Sequence, residues 1–253
     1  MRIINIDLPQ EMDKVALYSL SDMHVGDILF ERKLFGEFTE HILEKPNRFI
    51  VVNGDILNNN LLCSVGSAYE DVLPPGEQKK EARRLLEPLA DRIWLMTGGN
   101  HEARTKRKAD IDLTEDIAEY LGVEYCEDEA FVKLSFGMRP NKKKQVYTIY
   151  MTHGSGGGKK PGGTLNNIED LSKNIFADVY IVGHSHRRIG HKSLFRMPDL
   201  HNNNIREVEQ LYVCAAGWLS FGGYPVRKML RPQVRGSHPI IFNGNKKEAV
   251  TII

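Results

Sequence analysis

The chain is most constrained by a recurrence. Short apolar runs each stop at a cluster of Asp, Asn or His. Val15–Leu20 runs into Ser21-Asp22-Met23-His24, and Phe49–Val52 into Asn53-Gly54-Asp55. Ile93–Met96 leads to Gly98-Gly99-Asn100-His101-Glu102, Gln145–Met151 to Thr152-His153-Gly154, and Val179–Val182 to Gly183-His184-Ser185-His186. Apolar runs of this length read as buried strands. In open α/β sheets ligands bind beyond the carboxyl ends of the strands, so the five clusters can share one rim. The last cluster is the most pointed. On an extended segment residues i and i+2 face the same way, so His184 and His186 can reach one pocket, and imidazole is the commonest nitrogen ligand for metals.

Helices fill the gaps in the first half. Leu34, Phe38 and Ile42 recur at four-residue spacing, which predicts a helix over 31–44 with Pro46 just beyond it. A charged helix is expected over 78–89, with Leu85, Leu86 and Leu89 on its inner face, and another over 112–121, capped by Asp112 with Glu115 three residues on. The second half is richer in strands. Residues 130–136 and 145–151 flank the basic turn Arg139–Lys144, a short helix is expected over 165–175, and further strands over 189–195, 211–215 and 240–253. The glycine-rich stretch 154–163 reads as a flexible loop. No linker or internal repeat divides the chain, so residues 1–253 are expected to form one α/β domain, two stacked sheets with helices outside.

Composition narrows the class. With 253 residues, 41% of them hydrophobic, the chain can bury a sizeable core. No apolar run approaches about 18 residues and no signal pattern opens the chain, so neither membrane nor export is expected. Cys63, Cys126 and Cys214 form no C-x-x-C pair, which argues against a thiolate zinc site and fits a reducing cytoplasm. The net charge of +1 conceals an asymmetry: residues 1–130 carry 15 Lys+Arg against 26 Asp+Glu, and residues 131–253 carry 19 against 7. Two solvated faces would explain this, and so would a basic half that attracts an anionic substrate.

Each cluster has an ordinary structural meaning on its own: Asp22 a turn, Gly54-Asp55 a β-turn, Asn100-His101 a helix cap, His153 a half-buried histidine. The argument is their series. Carboxylate, amide and imidazole donors without cysteine suit Mn, Fe, Zn or Ni. Seven such donors exceed what one cation needs, which favours two divalent ions with Asp55 between them. Such a pair can hold a hydroxide and clamp the attacking and leaving oxygens of a phosphoryl group.

Asp-x-His, Gly-Asp, Gly-Asn-His-Glu, His-Gly and Gly-His-x-His, in this order from Asp22 to His186, closely resemble the calcineurin-like metallophosphoesterase superfamily. The resemblance implies an α/β/β/α sandwich of two sheets with a dinuclear metal site. It implies that one metal takes Asp22, His24, Asp55 and His186, and the other Asp55, Asn100, His153 and His184. Manganese is the first expectation for both, with Fe, Zn or Ni as alternatives. His101, beside a ligand but outside both sets, would stabilise developing charge or protonate the leaving oxygen.

The chain departs from the protein phosphatases of that superfamily. They follow Gly-Asp with an Asp-Arg pair where Asn58-Asn59 stands here, so the arginine that grips phosphate and the carboxylate that orients the catalytic histidine are missing at that spot. The block Asp22-Met23-His24-Val25-Gly26 looks more like the phosphodiesterase and repair-nuclease branches.

Three basic runs follow three of the clusters: Arg104-x-Lys106-Arg107-Lys108, Lys159-Lys160 and Arg187-Arg188. Surface charge is their usual meaning, but their position favours an anionic phosphoester substrate, DNA, RNA or a nucleotide among them. The sequence is silent on oligomeric state. Gly158-Lys159-Lys160 lacks the Ser or Thr of a P-loop, and residue 153 is His where its first Gly should stand, so an NTPase is excluded. Trp218, after another apolar run, could stack on a base or pack in the core. The expected function is a metal-dependent phosphodiesterase or nuclease. The alternatives are a small-molecule phosphomonoesterase and a non-catalytic binding scaffold on the same fold.

Overall fold

In a computed structural model, residues 3–62, 64, 66–156, 160–227 and 229–253 are described, with the backbone only at Tyr224. Cys63, Gly158 and Lys159, named above, lie outside the described residues. In chain order the elements are β1 (Ile3–Asp7), β2 (Lys14–Leu20), α1 (Arg32–Leu43), β3 (Arg48–Asn53), α2 (Pro75–Leu86), β4 (Ile93–Thr97), α3 (Glu102–Ala109), α4 (Leu113–Leu121), β5 (Glu124–Cys126), β6 (Glu129–Phe136), β7 (Gln145–Thr152), α5 (Pro161–Ser172), β8 (Val179–Val182), β9 (Ile189–Asp199), β10 (Asn204–Cys214), α6 (Gly223–Arg227), β11 (Pro239–Asn243) and β12 (Ala249–Thr251).

The strands form two six-stranded sheets, ordered β12-β11-β2-β3-β4-β5 and β1-β6-β7-β8-β10-β9. Alternation within the strands decides which side each residue serves. Val15 and Leu17 of β2, Phe49 and Val51 of β3, and Val179 and Ile181 of β8 meet in the core between the sheets. Their neighbours Ala16, Tyr18, Leu20, Ile50 and Val52 pack under α1, α2 and α4. Tyr180 and Val182 turn the other way, toward Leu165, Ile168 and Leu171 of α5. The chain is therefore an α/β/β/α sandwich. In the first sheet β2, β3 and β4 run parallel, from Ala16↔Arg48 to Leu20↔Val52 for the first pair. In the second β7 and β8 run parallel, from Ile149↔Val179 to Thr152↔Val182. The ends that carry the polar clusters thus emerge together.

Several boundaries and faces differ from the sequence expectation. In α1 the buried residues are Phe35, Phe38 and Ile42, while Leu34 is only partly covered. The second helix starts earlier, at Pro75, and buries Gln78, Ala82 and Leu86, with Leu85 at its margin. Pro161 at the first turn starts α5 inside the expected 154–163 loop and ahead of the expected 165–175 helix. The strand expected over 240–253 is two strands joined by a turn at 244–248. Asp112 caps α4 as expected, accepting from the backbone N–H of Thr114 and Glu115. Trp218 is wholly buried against Phe35 and Phe38, which removes the base-stacking alternative. Cys126 and Cys214 are free thiols. Among the described residues no helix is long and apolar enough to cross a membrane.

Candidate metal centre

The expected donors all follow strand ends on one rim. Asp22 and His24 follow β2, Asp55 follows β3, Asn100 and His101 follow β4, His153 follows β7, and His184 and His186 follow β8. To turn inward at once, the backbone enters the left-handed region. Asp22, His24, Asp55, His184 and His186 have φ of 54°, 50°, 51°, 64° and 54°. Asp, Asn and His are the non-glycine types that tolerate this region best, and such conformations collect at functional sites. Gly54 is needed for a related reason: its φ is 75°, and a Cβ there would come within 2.8 Å of the Gly99 backbone.

The donor atoms face one another. His24 Nε2 and His186 Nε2 are 3.2 Å apart, and His186 Nε2 is 3.3 Å from Asp22 Oδ1. His153 Nε2 is 3.2 Å from Asp55 Oδ2 and 3.2 Å from Asn100 Oδ1, which is 2.7 Å from His184 Nδ1. Three overlapping groups result, Asp22/His24/His186, His24/Asp55/His101 and Asp55/His153/His184, each with donor atoms within 4.8 Å of one another. Asp22 Oδ1 is buried with no hydrogen-bond partner. A buried carboxylate oxygen left unpaired among converging oxygen and imidazole donors fits divalent cations.

A second layer holds these donors, and much of it was not singled out from the sequence. Asn53 joins the two sheets: its side chain donates to Thr152 O at 2.9 Å and accepts from Thr97 Oγ1 at 2.8 Å. Its carbonyl accepts from Ser21 Oγ at 2.8 Å and lies 2.8 Å from His153 Nδ1, which turns Nε2 of that ring into the site. Ser21 Oγ also lies 2.6 Å from Asp22 Oδ2, which accepts from the backbone N–H of His184 at 3.0 Å. Glu102, fully enclosed, accepts from the backbone N–H of Asp55 at 3.1 Å and of Leu57 at 2.7 Å. Burial, followed by the nearby charge of Asp55, pushes its carboxyl up to about 7. Burial alone would raise the Asp55 carboxyl too, but the charge and hydrogen bond of His153, followed by His101 and His24, hold it well below its usual range. The same pairing overcomes burial at His153 and lifts that imidazole to about 10. Burial depresses His24, His101 and His184.

His101 stands at the edge of the donor cluster. Its ring centroid is 4.4 Å from that of His24, and its Nε2 is 3.9 Å from Asp55 Oδ2. Its backbone N–H donates to Asp55 Oδ1 at 2.8 Å, and its Nδ1 lies 2.5 Å from the carbonyl oxygen of Asn58. The missing Asp-Arg pair is thus answered in part by backbone: a carbonyl at position 58 meets the imidazole.

The arginines near the rim bond to oxygens of the protein itself, although Arg188 does so through Nη2 alone and its Nε is buried without a partner. Arg104 Nη1 donates to Asn60 Oδ1 at 3.0 Å and to the carbonyls of Asn58 and Asn59 at 3.2 and 3.4 Å. Arg187 donates to Lys160 O at 3.1 Å and Thr164 Oγ1 at 3.0 Å, and Arg188 to the carbonyls of Arg235 and Gly236 at 3.0 and 3.1 Å. Lys106 pairs with Asp112 and Glu127.

A sandwich with a rim of Asp, Asn and His donors is a metal-binding α/β fold. The model of the calcineurin-like phosphoesterase family matches residues 20–188, well over half of the chain, and the chain belongs to that family. By class it is a phosphoester hydrolase, and the family implies divalent metal cofactors. Among solved structures, the phosphoesterase Yfce from E. coli is 15% identical over 94% of this chain and 98% of its own, with a TM-score of 0.44. The calcineurin-like phosphoesterase YfkN from Bacillus subtilis is 13% identical over 95% and 88%, with a TM-score of 0.46. A mutant of Vps29 from Entamoeba histolytica is 12% identical over 94% and 100%, with a TM-score of 0.45. No curated protein matches the chain.

Proposed function

We propose that this chain is a dinuclear metal-dependent phosphodiesterase that acts on nucleic acid or nucleotides, with residues 1–253 as one catalytic domain. The observation that carries the reading is Asp55, whose carboxylate is common to the group with His24 and the group with His153 and His184. One ion would be held by Asp22, His24, Asp55 and His186, the other by Asp55, Asn100, His153 and His184. When bound, the ions acidify water and neutralise phosphoryl charge. The donor set suits Mn, with Fe, Zn or Ni as substitutes. His101, with Nδ1 directed to a carbonyl, keeps Nε2 toward the site; in its imidazolium form it would pass the Nε2 proton to the leaving oxygen and be left neutral, and burial, which lowers its pKa, makes that form the stronger acid. Both sheets contribute donors, which supports one domain.

The bonded arginines favour a diester. A monoester carries a second negative charge on the transferred group, and sites that bind it commonly add a guanidinium fork. Here Arg104, Arg187 and Arg188 donate to backbone and side-chain oxygens of the protein itself. Nucleic acid or a nucleotide is favoured by the excess of 19 Lys+Arg over 7 Asp+Glu in residues 131–253.

The test is hydrolysis of bis-p-nitrophenyl phosphate against p-nitrophenyl phosphate with Mn²⁺. The diester should turn over faster, and Asp55→Asn should abolish turnover while the chain stays folded, because Asn also accepts the left-handed backbone. His101→Ala should keep its metal and lose about 100-fold or more in kcat on a dinucleotide, whose leaving alkoxide needs a proton, and less on the nitrophenyl ester. Equal turnover by Asp55→Asn, or a preference for the monoester, rejects the reading. Cleavage of an oligonucleotide that weakens steeply with salt would support the nucleic-acid substrate.

A further inference from the structure

The loop after Asp55 contains three consecutive asparagines, Asn58, Asn59 and Asn60, all buried. A buried run of amides is expensive unless every group is paired, so its partners show what the loop is for. One carboxylate gathers most of them. Asp71 Oδ1 accepts from Asn58 Nδ2 and Asn60 Nδ2, both at 2.8 Å, and Oδ2 accepts from Gln78 Nε2 at 2.7 Å and the backbone N–H of Asn60 at 3.4 Å. Gln78 in turn accepts from the backbone N–H of Asn59 at 2.8 Å. On the other side Asn59 Nδ2 donates to the carbonyl of His101 at 2.6 Å, and the carbonyl of Asn58 lies 2.5 Å from His101 Nδ1.

We propose that Asp71 is the positioning residue for His101. Its carboxylate fixes Asn58 by the side chain, so that the Asn58 carbonyl holds the imidazole with Nδ1–H outward and Nε2 to the substrate. The inference rests on the reading of His101 as proton donor. Four N–H donors converge on the two oxygens of Asp71, an arrangement that only an acceptor on both sides can satisfy. An amide at position 71 can accept on one side only and turns an NH₂ group toward donors on the other, which breaks the clamp that Asn58 and Gln78 share, leaves Asn58 Nδ2 its longer contact with Asp27 Oδ2 at 3.4 Å, and lets the ring rotate or change tautomer.

A residue that merely supports the fold would lower activity whether or not His101 is present. A residue that acts through His101 would not, so a double-mutant cycle separates the two. The enzyme with Mn²⁺ is assayed on a dinucleotide, whose leaving alkoxide depends on a proton, and on bis-p-nitrophenyl phosphate, whose leaving group depends on it less. Asp71→Asn should lower kcat on the dinucleotide about 10-fold or more, with a smaller effect on the nitrophenyl ester, unchanged KM and full metal content. In the His101→Ala background it should change kcat by less than about twofold. Asn58→Ala, which cuts the same link and keeps the backbone carbonyl, should behave alike and carries the test if Asp71→Asn fails to fold. An equal loss in both backgrounds, or none in either, overturns the inference. Nitrogen-15 spectra of the zinc-loaded protein read the geometry directly: the His101 Nδ1–H signal should be present in the parent and lost in Asp71→Asn, and its persistence also overturns the inference. If His101→Ala alone costs nothing, the proton-donor reading fails, while the spectra still decide whether Asp71 orients the ring.

Discussion

His24 Nε2 and His186 Nε2 face each other at 3.2 Å, with the two rings nearly parallel, 10° between planes and 4.9 Å between centroids. Burial, then the charges of His101 and His186, keep His24 neutral, and its Nδ1 is buried without a partner. Two ring nitrogens this close either share a single proton or each turn a lone pair to a cation, and the second arrangement is the one the neighbouring Asp22 carboxylate also serves. A divalent ion should therefore stabilise the fold. At 100 times its Kd the expected gain is about 2.7 kcal/mol, read as a rise in Tm on adding Mn²⁺ or Zn²⁺ and a fall with a chelator. Asp55→Asn should shrink the shift. A Tm indifferent to metal would contradict this arrangement.

Stability should also depend on pH through a histidine outside the centre. His238 is buried, neither ring nitrogen has a partner, and burial, followed by the charge of Arg188, pushes its pKa from 6.5 to about 4. The folded state thus disfavours the proton that the unfolded chain accepts. No stability is lost above the unfolded value. As pH falls from about 6.5 toward 4 the unfolded state gains a proton first, and stability drops by on the order of 2–3 kcal/mol. His238→Phe should flatten that part of the curve, measured by denaturant unfolding at several pH values and compared with the parent.

Trp218 supports the layer beneath α1, with edge-on contacts to Phe35 at 5.4 Å and Phe38 at 5.1 Å between ring centroids. Trp218→Ala should cost about 3–5 kcal/mol in unfolding free energy, and Trp218→Phe considerably less. Trp218→Phe should leave affinity for single-stranded DNA unchanged. A loss of affinity without a loss of stability would restore a stacking role to this ring.

What could be read from the sequence follows from which signals are local. The apolar runs at 15–20, 49–52, 93–96 and 179–182 are continuous because both of their faces are covered, one by the other sheet and one by helices. The clusters stand out because Asp, Asn and His recur after five of the strands, although each cluster alone would read as a turn or a cap. Elements without an apolar pattern were invisible. In α3, Glu102-Ala103-Arg104-Thr105-Lys106-Arg107-Lys108-Ala109, the one buried residue is Glu102. In β1 most side chains are exposed, and β9 and β10 project as a long hairpin whose outer half is largely solvated. The supporting polar residues were missed for another reason. Asn53, Gln78 and Asp71 look like turn and surface residues by type, and only partners distant in sequence show them to be bonded inside the fold. Arg104 and Arg187 misled in the opposite sense, since a basic run shows its charge but not the oxygens already bound to it.

The left-handed backbone at positions 22, 24, 55, 184 and 186 has an evolutionary consequence. Most side chains at such a position cost about 1–3 kcal/mol, so the choice there is narrow even before any ion is considered. A descendant that abandoned hydrolysis would still be held to Asp, Asn, His or Gly at these five points by the turn geometry. Retained ligand letters in such a lineage would then record the shape of the chain as much as its chemistry, and metal content rather than residue identity would be the way to tell a working enzyme from a retired one.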